Sequence, residues 1–152
     1  MSFSSTIKTR VFIGTPKPAA VLADYDADTF TPISGLTNIG EFGDESEEIK
    51  FTTIEDGRVH KVKGSADAGS FEVEVARDVT DAGQIALRAA SKASGVYNVK
   101  VVLDDAPAGG KGTTFYFRGN VMSAKNSFGS NDVNKQKFNV GITSEVLEVA
   151  AA

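Results

Sequence analysis

Three short segments of the chain alternate apolar and polar residues with a period of two. Phe71, Val73 and Val75 alternate with Glu72 and Glu74, and similar apolar rows occupy the odd positions of 97–103 and the even positions of 138–142. Side chains of a strand point to opposite faces in turn, so this pattern predicts strands with one buried face. Shorter runs rich in Val, Thr and Phe, bounded by turn residues, predict further strands. These runs are at residues 10–13, 21–25, 48–54, 58–62 and 114–123.

One segment, residues 78–94, has the pattern of a helix. Asp78 is expected to cap it, Asp81 lies in its first turn, and Gly95 ends it. The face predicted to be buried consists of Ala82, Ile85, Ala86 and Ala89. The expected fold is therefore mainly β, a β-sandwich or barrel-like domain with one flanking α-helix.

The length and composition fit a single domain over residues 1–152. The chain has 152 residues, of which 41% are hydrophobic, enough for one packed core. Residues 1–6 and 150–152 are small, polar or weakly apolar, which favours extended ends that become ordered only when they dock on something else. We expect an N-terminal arm over residues 1–8.

Charge and cysteine content exclude several classes of protein. There is no cysteine, so disulfides and thiolate metal sites are ruled out. The formal net charge is −4, which argues against tight binding of nucleic-acid phosphates. No apolar run is long enough for a signal peptide or a membrane span, so we expect synthesis in the cytoplasm and no membrane binding.

Two motifs could indicate a ligand, and both depart from their consensus. Asp24, Asp26 and Asp28 have the spacing that opens an EF-hand loop, but Thr29 stands where a glycine is required and Gly35 where a bidentate Glu is required. A polar turn is the favoured interpretation. The glycine-rich segment at residues 109–113 resembles a phosphate-binding loop, but its lysine is followed by glycine and then by a predicted strand. It favours a hairpin connection, and we expect no cofactor and no metal.

The residues do not form a catalytic arrangement. His60 is the only histidine, and its neighbours Lys61 and Lys63 indicate an exposed strand position. Glu72 and Glu74 share one strand face, as a glycosidase pair would, but this alternation favours the solvated side of a half-buried sheet. The expected protein is not an enzyme.

The order of several segments resembles the major tail tube proteins of siphophages. The resemblance is carried by residues 48–53, by 64–75 with the helix that follows, and by the closing strands around 115–121 and 137–142. It covers residues 33–149. It implies a structural virion protein of the tail, in which homo-hexameric rings stack into a tube that conducts DNA into the bacterial host. Other tail proteins are then expected at the tube ends, and DNA is expected to pass without stable contacts.

Two alternatives stay open. A type VI secretion-like tube protein shares the architecture by analogy. A β-sandwich module that binds a sugar or a peptide belongs to a different class, and the absence of Trp argues against an aromatic binding platform.

Within the tail tube interpretation, residues 40–64 are expected to form a long β-hairpin loop that stacks one ring on the next. Its acidic first part is expected to stay open because its carboxylates repel one another. The second part is predicted to form a hairpin around the turn at residues 55–58, which alone is marginally stable and needs a partner surface. The stacking candidates are Glu45, Glu47, Glu48, Ile49, Phe51, Arg58, His60, Lys61 and Lys63. Glu72 and Glu74 are the candidates for an acidic lumen, since they lie opposite the predicted core row.

Overall fold

The computed structural model describes residues 7–107 and 109–151 and confirms the mainly β fold. The predicted arm at residues 1–8 lies outside the described residues except for its last two. The described part contains two helices, α1 (Leu22–Asp26) and α2 (Ala82–Lys92). The strands are β1 (Arg10–Ile13), β2 (Thr31–Ile33), β3 (Leu36–Ile39), β4 (Glu45–Thr52), β5 (Val59–Asp67), β6 (Ser70–Ala76), β7 (Tyr97–Val102), β8 (Thr114–Ser127), β9 (Lys135–Ile142) and β10 (Leu147–Val149).

Eight strands form one antiparallel sheet. Its order is β2-β1-β7-β8-β9-β6-β3, with β10 added alongside β8. Strand β8 joins the two halves of this sheet, because its first part pairs with β7 and β10 and its second part pairs with β9. Strands β4 and β5 pair only with each other and form a separate two-stranded sheet.

The core lies on one face of the large sheet, where the alternating rows place it. Phe71 is paired with Val140 and Val73 with Phe138, and all four side chains are buried. Phe42 completes an aromatic cluster, with its ring centroid 5.2 Å from that of Phe71. The alternation predicted for these strands is therefore confirmed, since the period-two rows bury the residues expected.

Helix α2 covers part of this core, but its predicted cap and buried face were wrong. Asp81, not Asp78, caps the helix, and its carboxylate accepts a hydrogen bond of 3.0 Å from the Gln84 backbone N–H. The side of α2 that packs on the sheet is not the predicted one, since Leu87 is buried while Ile85 remains 49% exposed. The buried residues of α2 are Gly83, Gln84, Leu87 and Ala90.

Gln84 can be buried because its amide group is fully hydrogen-bonded. Its Nε2 donates to the carbonyl oxygens of Ser34 and Ala76, at 2.8 and 3.0 Å. Its Oε1 accepts from the Asp78 backbone N–H and from Arg88. The helix is thereby tied to β6 and to the turn before β3.

Residues 21–25 were predicted as a strand and instead contribute to helix α1. The Asp24 carboxylate accepts hydrogen bonds from the backbone N–H groups of Ala20 and Val21. These hydrogen bonds stabilise the first turn of a helix. Tyr25 on this helix is buried and stacks on Tyr116 at 5.1 Å. The expectation of one helix was therefore wrong, and α1 is a second, short one.

The strands of the large sheet define two ends of the molecule that matter for assembly. At the Ser70 end, Ser70 pairs with Gly141, and both connections to the β4–β5 hairpin leave the sheet there. At the Lys135 end, Ala76 pairs with Lys135, and residues 128–134 connect β8 to β9. The hairpin and the β8–β9 connection thus lie at opposite ends of the same strands.

Candidate assembly surfaces

The β4–β5 hairpin, residues 45–67, is exposed to solvent and extends away from the large sheet. Every residue of β4 is exposed, and in β5 only His60 and Gly64 are partly covered. Its two strands of eight and nine residues span roughly 25 to 30 Å at the usual rise of a β-strand. A hairpin of two strands alone is marginally stable in water, so this element requires a further surface to be held firmly.

The two faces of this hairpin differ in chemistry. Cross-strand pairing places Ile49 opposite Val62 and Phe51 opposite His60, so that one face is apolar. The other face carries the charged pairs of the hairpin, Glu48 with Lys63 and Lys50 with Lys61. Residues directly opposite each other in such pairs share one face of the ladder. The hairpin therefore presents an unpartnered apolar face backed by a charged one.

The tip of the hairpin is held by Asp56. Its carboxylate accepts hydrogen bonds from the Thr53 hydroxyl at 2.6 Å and from the Arg58 backbone N–H at 2.9 Å, and it lies 3.2 Å from His60 Nε2. These hydrogen bonds, led by that from Thr53, hold the pKa of Asp56 below its ordinary value. Gly57 supplies the left-handed conformation, φ +66°, that closes the turn.

The strands of the hairpin extend further than the sequence predicted. The acidic residues Glu45, Glu47 and Glu48 were expected in an open segment, and they lie in β4. Pairing with β5 overcomes their mutual repulsion, since the charge on Glu48 is balanced by Lys61 Nζ at 3.4 Å and Glu47 accepts a hydrogen bond from Ser65. The structure thus brings the stacking candidates from both strands onto one element, with Arg58 in the turn.

The second candidate surface is the exposed face of β6, β9 and the second part of β8. Glu72 is exposed there, and Glu74 is partly covered and accepts a hydrogen bond of 2.9 Å from the Thr37 hydroxyl. Register places Lys137 beside Glu74 and Lys125 beyond it. We call this surface the open face. It combines acidic and basic side chains, with Lys137 directly across from Glu74 and Asn139 directly across from Glu72.

On the same side of the sheet, an aromatic cluster covers β1, β7 and the first part of β8. The sequence did not predict this cluster. The Lys100 ammonium lies 5.1 Å from the ring centre of Phe12, 5.6 Å from that of Phe30 and 5.9 Å from that of Tyr116. Burial lowers the pKa of Lys100, and the rings stabilise its charged form by cation–π attraction. A ligand-binding module would present such rings to its ligand, whereas here Lys100 of the chain itself lies against them.

The EF-hand-like aspartates bind protein groups in separate places. Asp24 accepts the backbone N–H groups of Ala20 and Val21 at the start of α1, and Asp28 accepts from the Thr15 hydroxyl and from Asn98 Nδ2 at 2.7 Å. Asp26 Oδ1 is 3.5 Å from the Tyr116 hydroxyl. Within residues 7–107 and 109–151, no group of three or more acidic or histidine side chains is arranged to hold a metal ion.

The glycine-rich segment at residues 109–113 is a connection into β8, with no helix after it. Asp105 fixes its end, since its carboxylate accepts both the backbone N–H and the hydroxyl of Thr113 at 2.7 Å. Across the described ranges, no helix is long and apolar enough to cross a membrane.

The described residues thus form a mainly β body with an exposed amphipathic hairpin and a mixed-charge open face, two surfaces suited to contact with other chains. The sequence matches the family model for the phage tail tube protein, TTP, over residues 6–151. The chain belongs to the phage tail tube protein family. It is a structural subunit of the tail tube of a virion.

Solved structures share this fold at low sequence identity. A sheath/tube terminator of an extracellular contractile injection system, PVC, aligns with a TM-score of 0.71 at 14% identity, covering 99% of each chain. The SPP1 tail tube protein aligns with a TM-score of 0.65 at 15% identity, covering 93% of this chain and 76% of its own. A chain of a native gene transfer agent particle aligns with a TM-score of 0.64 at 15% identity, covering 92% of this chain and 95% of its own. A search of curated proteins finds no match.

Proposed function

We propose that six copies of this chain form a ring, that rings stack into a tube, and that the tube conducts DNA during delivery into a bacterial host. The observation that carries this proposal is the β4–β5 hairpin, which extends from the body with its apolar side chains uncovered. An exposed apolar surface of this kind marks a site of contact with another protein, because burial against a partner removes it from water. In this proposal the partner is a further copy of the same chain, which fits its membership of the tail tube family.

Each candidate surface has a separate role in this proposal. The hairpin is the stacking arm between rings, and residues 1–8 add a second contact between subunits. The open face with Glu72 and Glu74 lines the lumen. Lys137 and Lys125 lie in one cross-strand row with Glu74, so that a phosphate backbone passing along the wall meets both attraction and repulsion and is not held.

The proposed role is mechanical and requires no catalysis. The histidine of the chain is engaged in the hairpin turn with Asp56 and Thr53. The pair Glu72 and Glu74 lies on a sheet surface where Glu72 is exposed and Glu74 is only partly covered. Other tail proteins are expected to close the two ends of the tube.

Electron microscopy of the purified chain over a wide range of concentration tests this proposal. Six-fold rings or tubes are expected, with the fraction assembled rising with concentration. Deletion of residues 1–6 should reduce tube formation while leaving the circular dichroism spectrum of the subunit unchanged, because terminal segments add little to a core. Strict monomers at every concentration would rule out the proposal, and tubes unimpaired by the deletion would rule out the role of the N-terminal residues.

A further inference from the structure

We infer that the Lys135 end of the sheet is the surface that receives the hairpin of a second copy of this chain. The inference rests on the proposed function and adds the acceptor to it. The occupant is the apolar face of the hairpin, formed by Ile49, Phe51 and Val62. The acceptor is an apolar patch at the other end of the same molecule.

The patch consists of three exposed side chains around one hydrogen-bonded junction. Val79 is 69% exposed, Phe128 65% and Val133 56%. Each of them is close in sequence to a residue of the junction: Val79 to Arg77, Phe128 to Asn126 and Val133 to Asn134. These three junction residues are joined by hydrogen bonds. The Arg77 backbone N–H donates to the Asn134 carbonyl oxygen, and its guanidinium donates to Asn126 Oδ1, both at 2.8 Å. The junction thus draws the β6–α2 connection and the β8–β9 connection together.

The placement of the two apolar surfaces fits a head-to-tail contact. The hairpin leaves the body at the Ser70 end, and the patch lies beyond Ala76 at the other end of the seven-residue strand β6, roughly 20 Å away at the usual rise of a strand. A surface at one end that is complementary to a different surface at the other end makes a heterologous contact. Repetition of such a contact extends along one direction, as stacking of rings requires.

Charge favours the same pairing. The base of the hairpin carries the carboxylates of Asp44, Glu45 and Glu47. The exposed side chains Arg77, Lys125 and Lys137 lie at and beside the Lys135 end. Two acidic residues at this end are already engaged, Asp78 with Thr80 and Asp132 with Lys135. The hairpin itself also carries Lys50, Lys61 and Lys63, so the acidic charge lies at its base, where it favours a head-to-tail over a head-to-head contact.

The absence of cysteine makes this contact directly testable by cross-linking. One preparation carries Phe51→Cys and an affinity tag, and the other carries Val133→Cys without a tag. The two are mixed, assembled into tubes and treated with a short bismaleimide. The tagged–untagged heterodimer is expected to be the main cross-linked species. The matched control pairs Phe51→Cys with Ile85→Cys, an exposed apolar position of α2, and is expected to stay uncross-linked.

The outcomes separate the two proposals. Tubes that form without the Phe51–Val133 heterodimer, or with as much heterodimer in the control, would overturn the acceptor and leave the tube intact. A chain that never assembles would overturn the proposed function and the acceptor with it. Val62→Cys, on the same face of the hairpin, replaces Phe51→Cys should that substitution weaken assembly, and is expected to give the same heterodimer.

Discussion

Phe51 and His60 stack ring on ring across the β4–β5 hairpin, with centroids 5.3 Å apart and an interplanar angle of 24°. Their contact forms the outer part of the apolar face of the hairpin, and Phe51 is still 48% exposed. In a monomer, this ring therefore retains about half of its surface in water. Assembly in the proposed manner would remove that remaining surface.

Phe51→Ser should impair tube formation without unfolding the subunit. Burial of the rest of a Phe ring is worth about 1 kcal/mol, so loss of the ring should raise the critical concentration for assembly roughly fivefold. Pelleting of tubes at a series of protein concentrations measures this value. The control is Ile85→Ser, which removes an equally exposed apolar side chain from α2 and should leave assembly unchanged. Equal effects of the two substitutions would argue against a specific role for the hairpin.

Gly83→Ala should destabilise the subunit although alanine is the better helix former. A Cβ at position 83 would collide with the Pro32 carbonyl oxygen and lie 2.6 Å from Ile33 Cα, because α2 packs directly on β2. The gain in helix propensity is about 1 kcal/mol, and forced overpacking of this kind costs about 1 to 3 kcal/mol. Urea unfolding should therefore show a net loss. The matched control is Gly95→Ala, where the nearest side-chain atom would be 3.6 Å away and little change is expected. A stabilised Gly83→Ala variant would contradict the close packing of α2 on β2.

Asp28 should make the stability of the subunit depend on pH in the acid range. Partial burial raises the pKa of Asp28, but hydrogen bonds from Thr15 and Asn98 outweigh it and hold the pKa below the ordinary value of 3.8. The stabilisation is therefore present above pH 3.8 and is lost as the pH falls through the lower native pKa. Thermal unfolding across this pH range should show a smaller acid-induced decrease for Asp28→Asn than for the natural chain. Parallel curves would show that Asp28 is not the titrating group.

The sequence predicted the centre of the sheet well and its margins poorly. Strands β6 and β9 carry strict alternation, and their rows are buried as expected. Strands β2, β3 and β10 were missed, because they are short and lack the run of Val and Phe by which the equally short β1 was predicted. The buried face of α2 was predicted wrongly because it contains Gln84, a polar residue. The four hydrogen bonds that allow its amide group to be buried cannot be predicted from the sequence.

The assembly surfaces were predictable in part. The turn around Gly57 and the flanking apolar residues indicated the hairpin, but its strands were predicted too short because acidic runs favour loops. The Lys100 cluster was invisible, since Phe12, Phe30, Lys100 and Tyr116 are distant in sequence and meet only through the sheet and the loop after α1. The same holds for the patch of Val79, Phe128 and Val133.

Neutralising the two glutamates of the open face should increase retention of DNA. The double variant Glu72→Gln and Glu74→Gln leaves Lys125 and Lys137 on this face without their acidic neighbours. Tubes of this variant should bind labelled duplex DNA more tightly than natural tubes, with an affinity that falls as salt rises. The control, Asp104→Asn with Glu148→Gln, changes the net charge equally at other exposed positions. Equal binding by both double variants would argue against the open face as the lumen wall.

The hydrogen exchange of the hairpin amides tests the central claim most directly. The backbone N–H groups of residues 48–62 are expected to exchange fast in the monomer, where the two-stranded hairpin has no support, and slowly in the assembled tube, where neighbouring rings cover it. Amides of β6 and β9 should be protected in both states and serve as the internal reference. Slow exchange of residues 48–62 that appears only on assembly is the predicted result, and equal protection in the monomer and the tube would contradict the stacking role of the hairpin.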